Sequence, residues 1–171
     1  MPDIPHMART FRARKYQVKR AARRCVALSA ILSEEKAMLP TLSSLKAFKD
    51  ERGTLSFAEV SDGLPFTPQR YFLIHDVPAG TTRGGHAHRR CEQFLVAVRG
   101  AVAVTLDDSQ DRREYLLERP NQGLHVPAGI WGDQRYISDD ACLLVLASEP
   151  YDAKEYLSDY SEFIAFRKAP R

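Results

Sequence analysis

The chain has 171 residues, 44% of them hydrophobic and 27% charged, and a net charge of +3. At this length a folded domain hides about 70% of the surface its unfolded chain exposes, so neither disulfides nor a structural metal is required for stability. No apolar run approaches the roughly 20 residues of a membrane span, no secretory leader pattern opens the chain, and Cys25, Cys91 and Cys142 lack the paired spacing of a zinc motif. These features lead us to expect reduced thiols, a cytoplasmic location and no membrane partner.

Residues 1–40 hold nine Lys/Arg against three Asp/Glu, while residues 41–171 hold sixteen against nineteen, so the first part carries +6 and the second −3. The first part reads as a basic N-terminal extension, poorly ordered or weakly helical. It lacks the interleaved aromatic platforms of a nucleic-acid binder, so no nucleic-acid partner is expected. Pro40 separates it from a folded region over 41–171.

Strand signals begin after Leu42. Leu55–Val60 alternates in part, and Arg70–Asp76 is aromatic and branched, with Tyr71, Leu73 and His75 on one face when extended. Phe94–Val98 and Ala101–Leu106 flank Arg99-Gly100, and Asp107-Asp108-Ser109 marks a turn. Tyr115–Leu117, Leu124–Val126, Gln134–Ile137 and Cys142–Ala147 complete eight short strands with no helix between them. That pattern predicts an all-β antiparallel sandwich or small barrel. At the end of the chain Asp152 and Glu155 resemble a capping box, and Tyr156, Tyr160, Phe163 and Ile164 share a helical face. One C-terminal α-helix is therefore predicted, with Tyr156, Tyr160 and Phe163 in the core.

Chemistry-bearing residues concentrate in Gly80-Thr-Thr-Arg-Gly-Gly-His86-Ala-His88-Arg-Arg-Cys-Glu-Gln93, ending at Gly100. This resembles the first cupin motif, G(x)5HxH(x)4E(x)6G, except that Gln93 stands where a metal cupin carries its glutamate ligand. The second motif, PxG(x)2H, reads Pro127-Ala-Gly129-Ile-Trp131-Gly132, so Gly132 replaces the last histidine. Two imidazoles and an amide make a poor site for zinc or non-haem iron, so no metal is expected. Glu92, His75 and His125 are the alternatives for a third ligand, although Glu92 points to the other face of an extended strand. An HxH pair in a strand projects both rings to one face, into one barrel mouth, where free imidazoles can take and return protons near neutral pH.

Beyond these motifs, Arg70-Tyr71-Phe72, Arg83-Gly-Gly-His-Ala-His88 with Gln93, Ile130-Trp131, Val145-Leu-Ala-Ser148 and Tyr151-Asp152 resemble the WxcM-like cupins over residues 41–166. The resemblance implies a cupin fold (a double-stranded β-helix, or jelly-roll barrel), no cofactor, and homodimers that exchange N-terminal strands. It implies 3,4-ketoisomerase activity on a dTDP-linked 4-keto-6-deoxy sugar, giving the 3-keto isomer used in amino-sugar biosynthesis. Carried onto this chain, His88 is the base at carbon 3, His86 positions the sugar or shuttles protons, and Tyr71, if inward, donates a hydroxyl. Arg83 and Arg70 are candidates for the diphosphate, and Gln93 for the sugar or for fixing a histidine tautomer. Trp131 reads as a core or interface anchor. The competing classes are a sugar-nucleotide epimerase, a non-catalytic sugar-nucleotide-binding cupin and a metal-dependent oxygenase.

Overall fold

The computed structural model describes residues 39–60 and 62–169. Apart from its last two residues, the basic extension expected over residues 1–40 lies outside them. The described chain forms β1 (Thr41–Ser44), β2 (Lys46–Asp50), β3 (Gly53–Phe57), β4 (Glu59–Val60), β5 (Gly63–Leu64), β6 (Arg70–Ile74) and β7 (Thr82–His88). Then follow β8 (Gln93–Arg99), β9 (Val102–Asp107), β10 (Arg112–Leu117), β11 (Gln122–Val126), β12 (Trp131–Tyr136) and β13 (Cys142–Ala147). A 3₁₀ turn (Ala153–Glu155), β14 (Tyr156–Leu157) and helix α1 (Tyr160–Lys168) close the fold.

Two five-stranded antiparallel sheets face each other, ordered β1-β11-β8-β13-β6 and β10-β9-β12-β7-β14, the jelly-roll arrangement of a cupin. Side-chain alternation explains the core. On β13, Leu143, Val145 and Ala147 are fully buried while their neighbours are only partly so. Leu95 and Ala97 of β8, Val102, Val104 and Leu106 of β9, and Leu124 and Val126 of β11 meet them between the sheets. Strand β8 also buries Phe94 and Val96 on its other face, which is why its sequence is a continuous apolar run without alternation.

Strand β7 departs from regular pairing at Gly84-Gly85. Their φ values are +94° and +71°, and the register against β12 shifts between Gly132 and Asp133. Arg83 lies opposite Gln134, and His86 lies opposite Gly132. Residues directly opposite share a face, and Gly132 and Gln134 lie two apart on β12. The bulge thus puts Arg83 and His86 on the inner face although they are three residues apart. A side chain at Gly84 is doubly excluded, by its positive φ and by the Gly132 carbonyl oxygen, 2.5 Å from where a Cβ would stand.

The C-terminal expectation needs correction. Asp152 caps only the 3₁₀ turn, accepting from the Lys154 N–H. Glu155 turns its carboxylate to the backbone N–H groups of Arg90 and Cys91 instead of closing a capping box. Tyr156 and Leu157 pair with His88 and Ala87 at the sheet edge, so Tyr156 belongs to a strand. The helix begins after Asp159, whose carboxylate accepts from the Glu162 N–H. Its Phe163 is buried with Ala87 and Leu157, whereas Tyr160, also expected in the core, is 46% exposed and donates its hydroxyl to Asp107; Trp131 packs on both rings at 5.6 and 5.2 Å, as a core anchor.

Gly84→Ala is expected to lower stability by about 1–3 kcal/mol in urea unfolding. Gly132→Ala, which has no positive φ and would meet the Leu106 side chain at 3.3 Å, should cost about 1 kcal/mol or less. Equal losses in the two variants would contradict the strain assigned to the bulge.

Candidate active site

A narrow cleft opens between the two sheets at the His88 end of β7, partly open to solvent. His86, His88, Gln93, Gly132 and Gln134 bring its polar surface, and Leu95, Val104 and Ile130 are among its apolar walls. This mixture of an apolar lining with a few convergent polar groups is typical of small-molecule sites.

His88 is 6% exposed. Its Nε2 stands 3.0 Å from the amide nitrogen of Gln93, while its Nδ1 is buried without a hydrogen-bond partner. A glutamine suits either state of the ring, because its NH2 donates to a bare nitrogen and its carbonyl, after rotation, accepts from a protonated one. Burial, followed by the positive charges of His86 and Arg70, pushes the His88 pKa down to about 4, with Glu155 opposing. The ring is thus neutral at physiological pH. His86, half-buried, packs edge to face with His88 at 5.1 Å between centroids.

Arg70 stands at the rim with its guanidinium 5.4 Å from the ring centroids of both Phe72 and Tyr151. Its Nε is buried and without a partner, so a donor remains for an acceptor from outside the chain. Arg83 is exposed farther along β7, where its charge acts on Tyr136. Burial nonetheless raises the Tyr136 phenol to about 12. The Tyr136 hydroxyl and the Gln134 amide oxygen are also buried without partners.

The structure therefore brings together His86, His88, Gln93 and Arg70, with Arg83 on the same inner face at a distance. Tyr71 does not join them. Strand β6 turns Arg70, Phe72 and Ile74 toward the interior, which leaves Tyr71 on the outer face, 70% exposed and opposite Leu146. In its place stands Tyr156, which sequence periodicity assigned to a helical core. Its ring lies 4.5 Å from His88 and 4.9 Å from His86, with Tyr151 at 5.9 Å beyond it. The useful sequence signal was the Ser148-x-x-Tyr151-Asp152 segment, which carried the family resemblance without revealing where its tyrosines pack.

The alternatives for a third metal ligand are directed elsewhere. Glu92 and His125 pair with each other at 2.7 Å on the far side of β8, and His75 bonds Asp76 at 2.6 Å. Among the described residues no group of three His, Cys, Asp or Glu is placed to hold a metal ion. Two imidazoles and an amide do not fit the donor requirements of zinc or non-haem iron.

Comparison with known proteins places this geometry in context. Residues 38–168 match the family model "WxcM-like, C-terminal". A TDP-4-oxo-6-deoxy-alpha-D-glucose-3,4-oxoisomerase from Aneurinibacillus thermoaerophilus is 36% identical over 120 residues, 70% of this chain and 86% of that protein. A 3,4-ketoisomerase from Helicobacter canadensis superposes with a TM-score of 0.74 at 35% identity, covering 77% of this chain and 99% of that one. The 3,4-ketoisomerase QdtA from Thermoanaerobacterium thermosaccharolyticum, solved as a histidine-to-asparagine variant in complex with TDP-4-keto-6-deoxyglucose, gives a TM-score of 0.73 at 29% identity. It covers 75% of this chain and 94% of that one.

Following the His88 ring by NMR from pH 3 to 9 should show titration near pH 4 and not near the ordinary 6.5. Gln93→Glu, which places a carboxylate beside Nε2, should raise that value by about 1–3 units. An unshifted His88 in the unmodified protein would refute the dry environment assigned to it.

Proposed function

Since the chain belongs to the WxcM-like family, we propose that it is a sugar-nucleotide 3,4-ketoisomerase acting without metal or cofactor on dTDP-4-keto-6-deoxyglucose. The observation that carries this reading is the pairing of two free imidazoles in one partly apolar cavity, the more buried of them neutral and hydrogen-bonded by an ambivalent amide. The homologues from Aneurinibacillus and Helicobacter support the reaction class.

Moving the ketone from carbon 4 to carbon 3 changes no net oxidation state. The proton on carbon 3 is acidified by the adjacent ketone, and His88 removes it through its free Nδ1. The electrons pass to oxygen 4, giving an enediolate whose oxygen 3 still bears hydrogen. His86 carries that proton from oxygen 3 to oxygen 4, and protonated His88 gives its proton to carbon 4 as carbon 3 becomes the ketone. With the Gln93 amide turned so that its carbonyl accepts from Nε2–H, Nδ1 is the bare nitrogen of the neutral ring, and the same bond persists after Nδ1 has taken the proton. Acid–base catalysis of this kind contributes about 10²–10⁴-fold. Arg70 and Arg83 supply planar donors for the diphosphate. An anion bound at Arg70 also cancels one cause of the low His88 pKa, so substrate binding tunes the base toward neutrality.

The outer face of the β1-β11-β8-β13-β6 sheet supports a second element of the proposal, a homodimer; exchange of N-terminal strands would have β1, which pairs with β11 of its own chain here, take the same place in the partner's sheet. Phe94, Val96, Val98, Leu144 and Leu146 line a groove of about 930 Å³ between this sheet and the β2–β3 hairpin, part of it open to solvent. Phe48 and Leu55 on that hairpin are 66% and 63% exposed, and Tyr71 and Leu73 border the same face. A second copy covers these surfaces and explains an exposed tyrosine at position 71. Among the described residues no helix is long and apolar enough to cross a membrane. The free thiols Cys91 and Cys142 fit a reducing cytoplasm.

Chelator-treated protein incubated with dTDP-4-keto-6-deoxyglucose in deuterated water should yield a 3-keto isomer labelled at carbon 4 in a proton NMR time course. His88→Asn should cut turnover by about 10²-fold or more while leaving substrate affinity within about tenfold. No exchange at carbons 3 and 4 with folded protein would overturn the isomerase reading. Light scattering should give twice the chain mass, and a Phe48→Asp/Leu55→Asp double variant should give the mass of one chain. A monomeric unmodified protein would overturn the dimer.

A further inference from the structure

Glu155 carries a buried carboxylate that the mechanism above does not use. The residue is 6% exposed. Its Oε2 accepts from the backbone N–H groups of Arg90 and Cys91 at 2.8 and 3.1 Å, and its Oε1 accepts from Arg90 Nε at 2.9 Å. Its own carbonyl accepts the Arg89 N–H at 2.9 Å. Every one of these donors lies in the turn joining β7 to β8, directly after His88. Burial pushes the Glu155 pKa up, but the hydrogen bonds from Arg90 and Cys91 outweigh it and hold the group below the usual carboxylate range, so it is charged.

Strand β14 begins at the next residue. It is two residues long and lies at the edge of its sheet, beyond β7, too short to hold a fixed register by ladder bonds alone. Tyr156 nevertheless pairs directly with His88 and lays its ring on both imidazoles. The Arg89–Glu162 ion pair also ties this turn to the C-terminal region, but it is largely exposed and worth little. Leu157 is anchored on Ala87 and Phe163 on the C-terminal side of Tyr156, and Glu155 is the buried attachment on its N-terminal side, to the turn itself.

We infer that Glu155 is a positioning residue for the proposed isomerisation, a latch that fastens the C-terminal segment to the β7–β8 turn and so holds Tyr156 over His88 as a water-excluding lid. The inference rests on the reading of His88 as base, and it assigns Tyr156 a place in the site through its cover of that ring.

The latch and a purely electrostatic role predict opposite results. The groups facing His88 are His86 on β7, Arg70 on β6, the neutral Gln93 on β8, Tyr156 on β14, and Glu155 from the 3₁₀ turn. The Glu155 charge by itself favours protonated His88, so removing only that charge lowers the His88 pKa further. Releasing the lid wets the ring, and burial is the largest cause of its low value. Loss of the latch therefore raises it.

The test is NMR titration of the His88 ring in Glu155→Gln, Glu155→Asp and Tyr156→Leu, with thermal unfolding followed in parallel and kcat and KM measured on the keto sugar. Glu155→Gln and Tyr156→Leu are expected to move the titration from near 4 upward by about one unit or more. Both should lower kcat about tenfold or more with KM changed far less, and Glu155→Asp should restore part of the loss. A downward or unchanged titration in folded Glu155→Gln overturns the latch. If Glu155→Gln does not fold, Tyr156→Leu decides alone, an unmoved His88 overturning the proposal. The titration needs no substrate, so failure of the isomerase reading would appear in the turnover assay and failure of the latch in the pKa.

Discussion

Keeping a neutral imidazole dry between two β-sheets is the constraint on which the site depends. An isolated charge in that place is strongly disfavoured, so His88 is held in its basic form, and in its proposed role as base the groups around it must tolerate a ring that gains and loses a proton. Gln93 meets this need where a carboxylate would not, because a fixed negative charge at 3.0 Å stabilises the imidazolium and blunts its tendency to give the proton back. The replacement of glutamate by glutamine and of the last motif histidine by Gly132 thus act together. One removes the charge that would hold a cation, and the other leaves space opposite His86.

The same barrel serves two audiences. Its inner surface carries the polar residues over a hydrophobic floor, while the outer surface of one sheet is apolar enough to bury Phe94 and Val96 and to leave a groove beside them. Strand β6 divides its residues between these surfaces, Arg70 inward at the rim and Tyr71 outward. Adjacent residues with similar promise from sequence consequently lie on different surfaces.

Most of the strand framework was legible because its alternation is local: Cys142–Ala147 appears with the bounds that its pattern implies, and the Arg99-Gly100 turn joins the strands predicted on either side. The HxH spacing likewise placed both imidazoles in one cavity. Tyr71 was misplaced because period-2 alternation divides a strand into two faces without saying which is inside. Tyr156 was misplaced because a two-residue strand leaves no periodic signal, and its pairing partner His88 lies more than sixty positions away. The glycines of β7 offered no strand propensity at all, yet their positive φ values let Arg83 and His86 share a face.

That separation along the chain has a consequence for the order in which the protein comes into being. The turn after β7 emerges from the ribosome well before Glu155, 65 residues behind Arg90, and closing so long a segment is entropically costly until the intervening strands have collapsed. During that interval His88 belongs to a nascent barrel whose edge beside β7 is unpaired and whose imidazole is still hydrated. The cover over His88 is thus the last part of its surroundings that the growing chain can supply.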